Sequence, residues 1–335
     1  MTRVRRKKKV EVVEESTDEI GALEKLVSMK EDFASFYWDY LDQALLESEY
    51  KENVIRIADT IQAFCAENAD LMLAYFQLNR EDEYELIHPL YTAVICEILG
   101  VKKKIAYEDR NQVICAALTH DIGMHTLIDV LKYQESPLTP DQLADLKLHP
   151  IRSVKLLRDA GVTEKVWMMS VQQHHERLDG SGYPYGLLLE DISLGARMIA
   201  IADTYIAMTK PHAHRQGSFA KAALSELFAN RGDKVDNELT QIFIREMGLF
   251  PPGAVVRLMN GDIAMVTHRG KNATTPIVQS IVGPRGAPLP KPIPRNTQHE
   301  AFAIRDMEQD EEYRQIAFSS AIDLWTQKKI HFSSS

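Results

Sequence analysis

Cysteine is scarce in this chain: its 335 residues hold three, Cys65, Cys96 and Cys115. None stands in a CxxC spacing and each falls in an apolar helical context, which argues against a disulfide framework or a thiolate metal site. Reduced thiols of a cytoplasmic protein are the expectation. No run reaches the roughly 18 apolar residues of a membrane span. Positive charge is also in deficit, with a formal net charge of −9. That balance argues against binding a nucleic-acid polymer through the overall field, and an anionic substrate would need local cations. Glycine and proline are both missing between Ala22 and Arg80, so turns there must be short and polar. The basic start, Arg3 to Lys9, has no apolar stretch behind it and runs into Glu11, Glu14, Glu15 and Asp18. This is not a secretory signal but a charged, mobile tail over residues 1–18.

Helical periodicity fills most of the rest. Residues 19–79 repeat apolar side chains at helical intervals, among them Leu23, Leu26, Phe33, Phe36, Tyr37, Ile57 and Ile61. A helical subdomain packed on the core is favoured there over a sensor or dimerisation module. Residues 80–248 read as an all-helical core. Pro89 looks like a first helical residue. Thr139 and Gln142 suit a capping box for a helix running to about Leu157, and Thr163 suits the cap of the next. The character changes at Phe250-Pro251-Pro252-Gly253. Asn260-Gly261 between apolar runs signals a hairpin, and Ile277 to Val282 offers a third strand. Residues 249–294 are therefore a small β appendage and Pro/Gly-rich linker, and 295–335 a loosely held acidic tail. The fold class is mainly α.

The chemistry concentrates in histidine and aspartate. Asp203 shares a helical face with Ile199, Ala200, Ile206 and Ala207, a core stripe on which an unpaired carboxylate is costly. A cation is needed there; a buried salt bridge would serve as well as a metal ion. His120-Asp121 follows Ala116, Ala117 and Leu118, and Gly123 closes that helix. His174-His175 ends another helix and is followed by Glu176-Arg177-Leu178-Asp179-Gly180-Ser181-Gly182-Tyr183-Pro184. Neutral imidazole is the commonest metal ligand, and two in a row converge where the backbone changes direction. His149 and His88 are individually weak signals.

Together, Leu118-Thr119-His120-Asp121-Ile122-Gly123, His149-Pro150, His174 to Pro184 and Ala202-Asp203-Thr204-Tyr205 resemble the HD-GYP phosphodiesterases, a branch of the HD-domain phosphohydrolases. The resemblance covers about residues 86 to 248. It implies two divalent metal ions, iron or manganese, in one centre. His88, His120, Asp121 and Asp203 would hold one and His149, His174 and His175 the other, with Asp121 shared. Asp121 and His120 would be the catalytic pair, through a bridging hydroxide. It further implies cytoplasmic bacterial signalling and hydrolysis of cyclic di-GMP to a linear dinucleotide or GMP. Gly182, Tyr183, Arg215 and His212 are the implied substrate contacts, and the Gly-Tyr-Pro loop a surface for diguanylate cyclase-type partners. A homodimer is compatible with the N-terminal helices.

Departures from the family pattern fall on the substrate side. Met124 stands where a lysine is usual and Ile206 where an aspartate is usual. His212-Ala213-His214-Arg215 replaces Arg-Pro-Tyr-Arg, and Tyr84 takes the place of an acidic residue associated with a third metal. Two metals are therefore expected rather than three. An adaptor that binds the nucleotide without turnover, or a phosphohydrolase for another nucleotide, stays open at this level.

Overall fold

The computed structural model describes residues 18–41, 47–125, 127, 130, 134, 136–209 and 220–320. The charged tail 1–17, the expected contacts His212 and Arg215, and the last fifteen residues lie outside the described residues.

Helices α1 (Asp18–Leu41) and α2 (Glu47–Leu78) open the chain. With neither glycine nor proline available, α2 bends at Asn68, whose φ of −153° and ψ of 70° are non-helical. Its side-chain oxygen accepts from the Leu71 N–H at 3.1 Å, so the residue caps the second half of the helix.

Helix α3 (Tyr84–Lys102) is buried without a break from Leu86 to Gly100. A helix apolar on every side belongs at the centre of a bundle, and α2, α4 (Tyr107–Thr119) and α8 (Leu194–Thr209) pack round it. By length and composition α3 alone among the described helices is apolar enough to cross a membrane, yet 83% of that window is buried inside the fold. Its one buried acid, Glu97, is matched by Arg110 Nε at 3.0 Å. Pro89 lies one turn inside this helix rather than at its start.

After α4 a 3-10 turn covers Ile122–Met124. The capping box of Thr139 and Gln142 forms as expected on α5 (Pro140–Leu146). The single helix expected from there to Leu157 is instead two, because the chain breaks at Lys147–Leu148 and restarts as α6 (His149–Asp159) with Pro150 in its first turn. Helix α7 (Lys165–Gln173) starts behind Glu164, not Thr163, and no side chain caps it. Helices α9 (Ala220–Ala229) and α10 (Asn237–Met247) complete the bundle, the latter capped by Asp236.

The β region is larger than expected. Strands β1 (Val255–Leu258) and β2 (Ile263–His268) form the hairpin around Asn260-Gly261, and β3 (Ile277–Val282) pairs with β2. The stretch read as a linker is β4 (Pro288–Asn296), and part of the expected tail is β5 (Ile304–Met307) and α11 (Glu311–Ser319). The sheet is antiparallel with order β4-β3-β2-β1-β5. Four prolines hid β4 from a propensity reading; as an edge strand it needs few of its own N–H donors. One hydrophobic core runs from Leu26 through α3 to Val255, Met265 and Ala317, so the sheet and the helices share an interior.

The turn at 122–124 is fixed against α6 by one hydroxyl. Ser153 Oγ donates to the His120 carbonyl at 2.7 Å and accepts from the Gly123 N–H at 2.9 Å. A Cβ on Gly123 would fall 2.6 Å from both the His149 carbonyl oxygen and the Ser153 nitrogen, neither of which can swing aside. Gly123→Ala should therefore cost about 1–3 kcal/mol of stability by overpacking, measured by urea denaturation followed by circular dichroism.

Candidate metal centre

Three helix ends meet at one point. His120 follows the last residue of α4, His174 follows the last residue of α7, and His149 begins α6 just beyond the end of α5. Each ring presents Nδ1 to the carbonyl three residues earlier: His120 to Ala117 at 2.8 Å, His149 to Leu146 at 2.7 Å and His174 to Val171 at 2.6 Å. Those carbonyls belong to final helical turns, where they have no partner within the helix. A carbonyl only accepts, so Nδ1 carries the proton, and Nε2 is left as a lone pair aimed inward. The fourth ring, His88 of α3, takes its Nδ1 partner from the Tyr84 hydroxyl at 2.9 Å.

The inward nitrogens crowd together. His149 and His174 bring Nε2 to Nε2 at 3.0 Å, and His88 and His120 do so at 3.2 Å. Asp121 sits between the two pairs and divides its oxygens between them. Oδ1 lies 3.2 Å from His149 and 3.6 Å from His174, while Oδ2 lies 3.4 Å from His120 and 3.6 Å from His88. Asp203, in the middle of α8, places Oδ1 3.4 Å from His88 Nε2 and Oδ2 3.9 Å from His175 Nδ1. All seven sequence-predicted ligands are thus in one cluster. They fall into two donor groups, Asp121 with His149, His174 and His175, and Asp121 with His88 and His120. Asp203, expected with the second group, faces both.

These donors suit divalent cations. Ligands about 2.1 Å from a common ion sit roughly 3.0–3.4 Å from one another at tetrahedral or octahedral angles. Asp121 Oδ1 is buried and lacks a hydrogen-bond donor, and facing lone pairs repel unless a cation lies between them. The three helix C-termini add partial negative charge on the same side. Thiolates are absent from the cluster, so imidazole and carboxylate supply all the ligation.

Burial holds the His120 imidazole down to about 4, with Asp121 offsetting only part of the effect. Burial, then the neighbouring His174, takes His175 well below its usual value. Both rings are therefore neutral and free to bind metal near pH 7. Burial opposes charge on His88 too, but its hydrogen bond to Asp203 and the charges of Asp203 and Asp121 win and raise it. Burial likewise works against ionised Asp121 and Asp203, yet the surrounding imidazoles hold both below the ordinary carboxylate range.

Tyr84, in the position the family resemblance gives to a third-metal acid, stacks on His88 with ring centroids 4.8 Å apart. With Tyr37 of α1 and Glu85 it closes an enclosed chamber of about 20 Å³ beside His88 and Asp121. No carboxylate replaces the lost acid among the cluster's donors. Ile206 is fully buried in the core.

The loop after His175 is tied to the centre by a residue to which the sequence reading gave no role. Glu176 is buried and accepts the Tyr185 N–H at 2.7 Å and the Leu187 N–H at 2.9 Å. Its place directly after two histidines is the only sequence signal, and burial cannot be read from it. The Tyr183 ring lies over His175 at 4.6 Å and 30°. At Gly182, an implied substrate contact, the chain itself approaches closely. A Cβ there would fall 2.3 Å from the Arg177 nitrogen and 2.4 Å from the Glu176 Cα.

A family model described as "HD domain" matches residues 55–239. The chain belongs to the HD domain family. Among curated HD domain relatives, a cyclic di-GMP phosphodiesterase of Pseudomonas aeruginosa is 29% identical over 241 residues, 71% of this chain and 58% of that protein. A cyclic di-GMP phosphodiesterase of Borreliella burgdorferi is 26% identical over 212 residues, 63% of this chain and 56% of its own length. The chain thus spans a little over half the length of these relatives. An HDG"Y"P protein of Bdellovibrio bacteriovorus shares the fold, with a TM-score of 0.56 at 19% identity over 68% of this chain and 72% of that one. These matches agree with the HD-GYP resemblance read from His174 to Pro184.

Two outcomes test the centre. In metal-free protein, His120 stays neutral down to about pH 4, whereas its unfolded counterpart takes up a proton near 6.5. The unfolded state therefore binds more protons between those values, and stability falls as pH drops through that window. Urea midpoints at pH 7 and pH 5 check the sign, and His120→Gln should flatten the difference. Glu176→Gln should leave metal content unchanged while hydrogen exchange at the Tyr185 and Leu187 amides rises roughly tenfold or more, because a charged acceptor is lost.

Proposed function

We propose that this chain is a metal-dependent phosphodiesterase that opens cyclic di-GMP to the linear dinucleotide and carries some of it on to GMP. The observation that carries this reading is the Asp121 carboxylate, which gives one oxygen to each of two imidazole groups. A single structural salt bridge has no need of that division; a pair of cations does. Named relatives that hydrolyse cyclic di-GMP support the substrate class.

His88, His120 and Asp121 would hold one ion and His149, His174 and His175 the other, with Asp203 facing both. Iron or manganese is the proposed pair, an assignment carried by the family resemblance, and this imidazole and carboxylate set suits either as well as zinc. Two such ions, when bound, supply Lewis acidity toward a phosphodiester and a water acidic enough to ionise near neutrality. The chain's own residues do the rest. Carbonyl-anchored rings hold the donors rigid, so little reorganisation accompanies charge development. Tyr183 offers a ring face and a hydroxyl at the mouth of the site, and burial together with Asp121 and Asp203 keeps that hydroxyl protonated. His212 and Arg215 remain candidate phosphate contacts. A cytoplasmic location and diguanylate cyclase-type partners at the Gly-Tyr-Pro loop belong to the same reading.

A second cyclic dinucleotide has specific support. Met124 and Ile206 stand where the family resemblance gives a lysine and an aspartate, and a Vibrio cholerae relative 25% identical over 197 residues is named a 3'3'-cGAMP-specific phosphodiesterase. Both substrates go into the deciding experiment. Protein reconstituted anaerobically with iron or manganese is incubated with each nucleotide beside Asp121→Ala, and products are separated by chromatography. Linear dinucleotide or GMP formed only with Asp121 intact is the expected result. Two bound metals per chain without turnover of either nucleotide would sink the proposal and favour a nucleotide-binding adaptor.

A further inference from the structure

Arg177 follows Glu176 on the loop that leaves the histidine pair, and none of the described residues accepts from its Nη1. Its Nη1 is buried and unpartnered, although the side chain as a whole is only partly covered. Arg110 is matched by Glu97, Arg197 by Asp236 and Arg269 by Asp70, although Arg80, Arg197 and Arg314 also each leave one buried nitrogen without a partner. Among the described residues, no carboxylate lies within ion-pair distance of Arg177. Burying a charged donor without a partner is among the costlier things a fold can do. A site that keeps one beside a reaction centre is poised for an acceptor that arrives from outside.

Its surroundings say which acceptor. The Gly182 turn folds back directly on the Arg177 backbone, and the Tyr183 N–H donates to the His175 carbonyl at 3.2 Å. Arg177, Tyr183 and the metal-facing His175 are therefore held on one short, closed loop. Arg177 is close enough to Tyr183 to counter part of the effect of Asp121 and Asp203 on its hydroxyl. Met124, which stands where the family resemblance gives a lysine, provides no charge. Arg177 thus brings a cation with an unpartnered donor to the same loop that carries His175 of the metal-facing cluster.

We propose that Arg177 is a substrate-binding residue whose guanidinium takes a non-bridging phosphate oxygen of the cyclic dinucleotide, supplying the cationic contact that Met124 does not. This rests on the phosphodiesterase reading above. A planar guanidinium with five donors suits a phosphate better than a single ammonium would.

The test measures binding rather than turnover. Metal-loaded wild type, Arg177→Met and Arg177→Lys are titrated with a fluorescent phosphorothioate analogue of cyclic di-GMP at low and high salt. Metal content and melting temperature are recorded for each. Arg177→Met should bind roughly 10- to 100-fold more weakly, the loss expected for one charge-assisted hydrogen bond. The gap should narrow in high salt, and Arg177→Lys should recover part of it. Equal binding by Arg177→Met and wild type would overturn the inference. So would early melting or metal loss in both variants, which would make Arg177 a structural residue. If wild type itself fails to bind the analogue, the phosphodiesterase reading falls with it, and the failure shows in the unmodified protein rather than the variants.

Discussion

The structure turns on a conflict between helix ends and lone pairs. Three imidazoles satisfy the final carbonyls of α4, α5 and α7 with Nδ1, and in doing so they turn Nε2 toward a common centre. Every ring is locally content and the set is jointly strained, since nitrogen lone pairs 3.0 Å apart repel. Helix C-termini converging on one point add to the negative potential there. A cation relieves both problems together. The arrangement is rigid because loosening any one ring would also orphan a backbone carbonyl.

This explains what could and could not be read in advance. The members of the cluster were legible because a carboxylate on an apolar stripe at Asp203, and histidines where helices stop, contradict ordinary core patterning. The capping box at Thr139 and the Asn260-Gly261 turn were legible because their chemistry is local. The break at Lys147–Leu148 was not. Leu146 and Leu148 continue a helical pattern, and the interruption is imposed by tertiary structure, which frees the Leu146 carbonyl for His149. Ser153 and Glu176 act through burial and distant backbone partners, which no spacing encodes. The close approach of the Glu176–Arg177 backbone to Gly182 is a tertiary fact of the same kind.

The boundary suggested by composition near residue 80 crosses a continuous interior. The family match begins at residue 55, within α2, and α1 and α2 pack against α3 and against each other. Tyr37 of α1 reaches the small chamber beside His88 and Asp121. The first helix is thus part of the wall of the centre, even though nothing in its apolar repeat distinguishes it from a docking subdomain. A proline within α3 is tolerated in this setting because the helix is clamped on all sides by packing rather than held by its own ladder alone.

The proline-rich edge of the sheet has a bearing on assembly. Strand β4 carries Pro288, Pro290, Pro292 and Pro294 at alternate positions. Pro294 pairs with Gln279 in the ladder and has no hydrogen to give it. Alternate positions of a strand turn their N–H groups to the same side, so these prolines thin the donors along one side of β4. On the far side β5 is only four residues long and bears exposed Arg305 and Asp306. The two edges of the sheet, one proline-rich and one short and charged, thus differ from the long regular edge on which a further strand adds most readily.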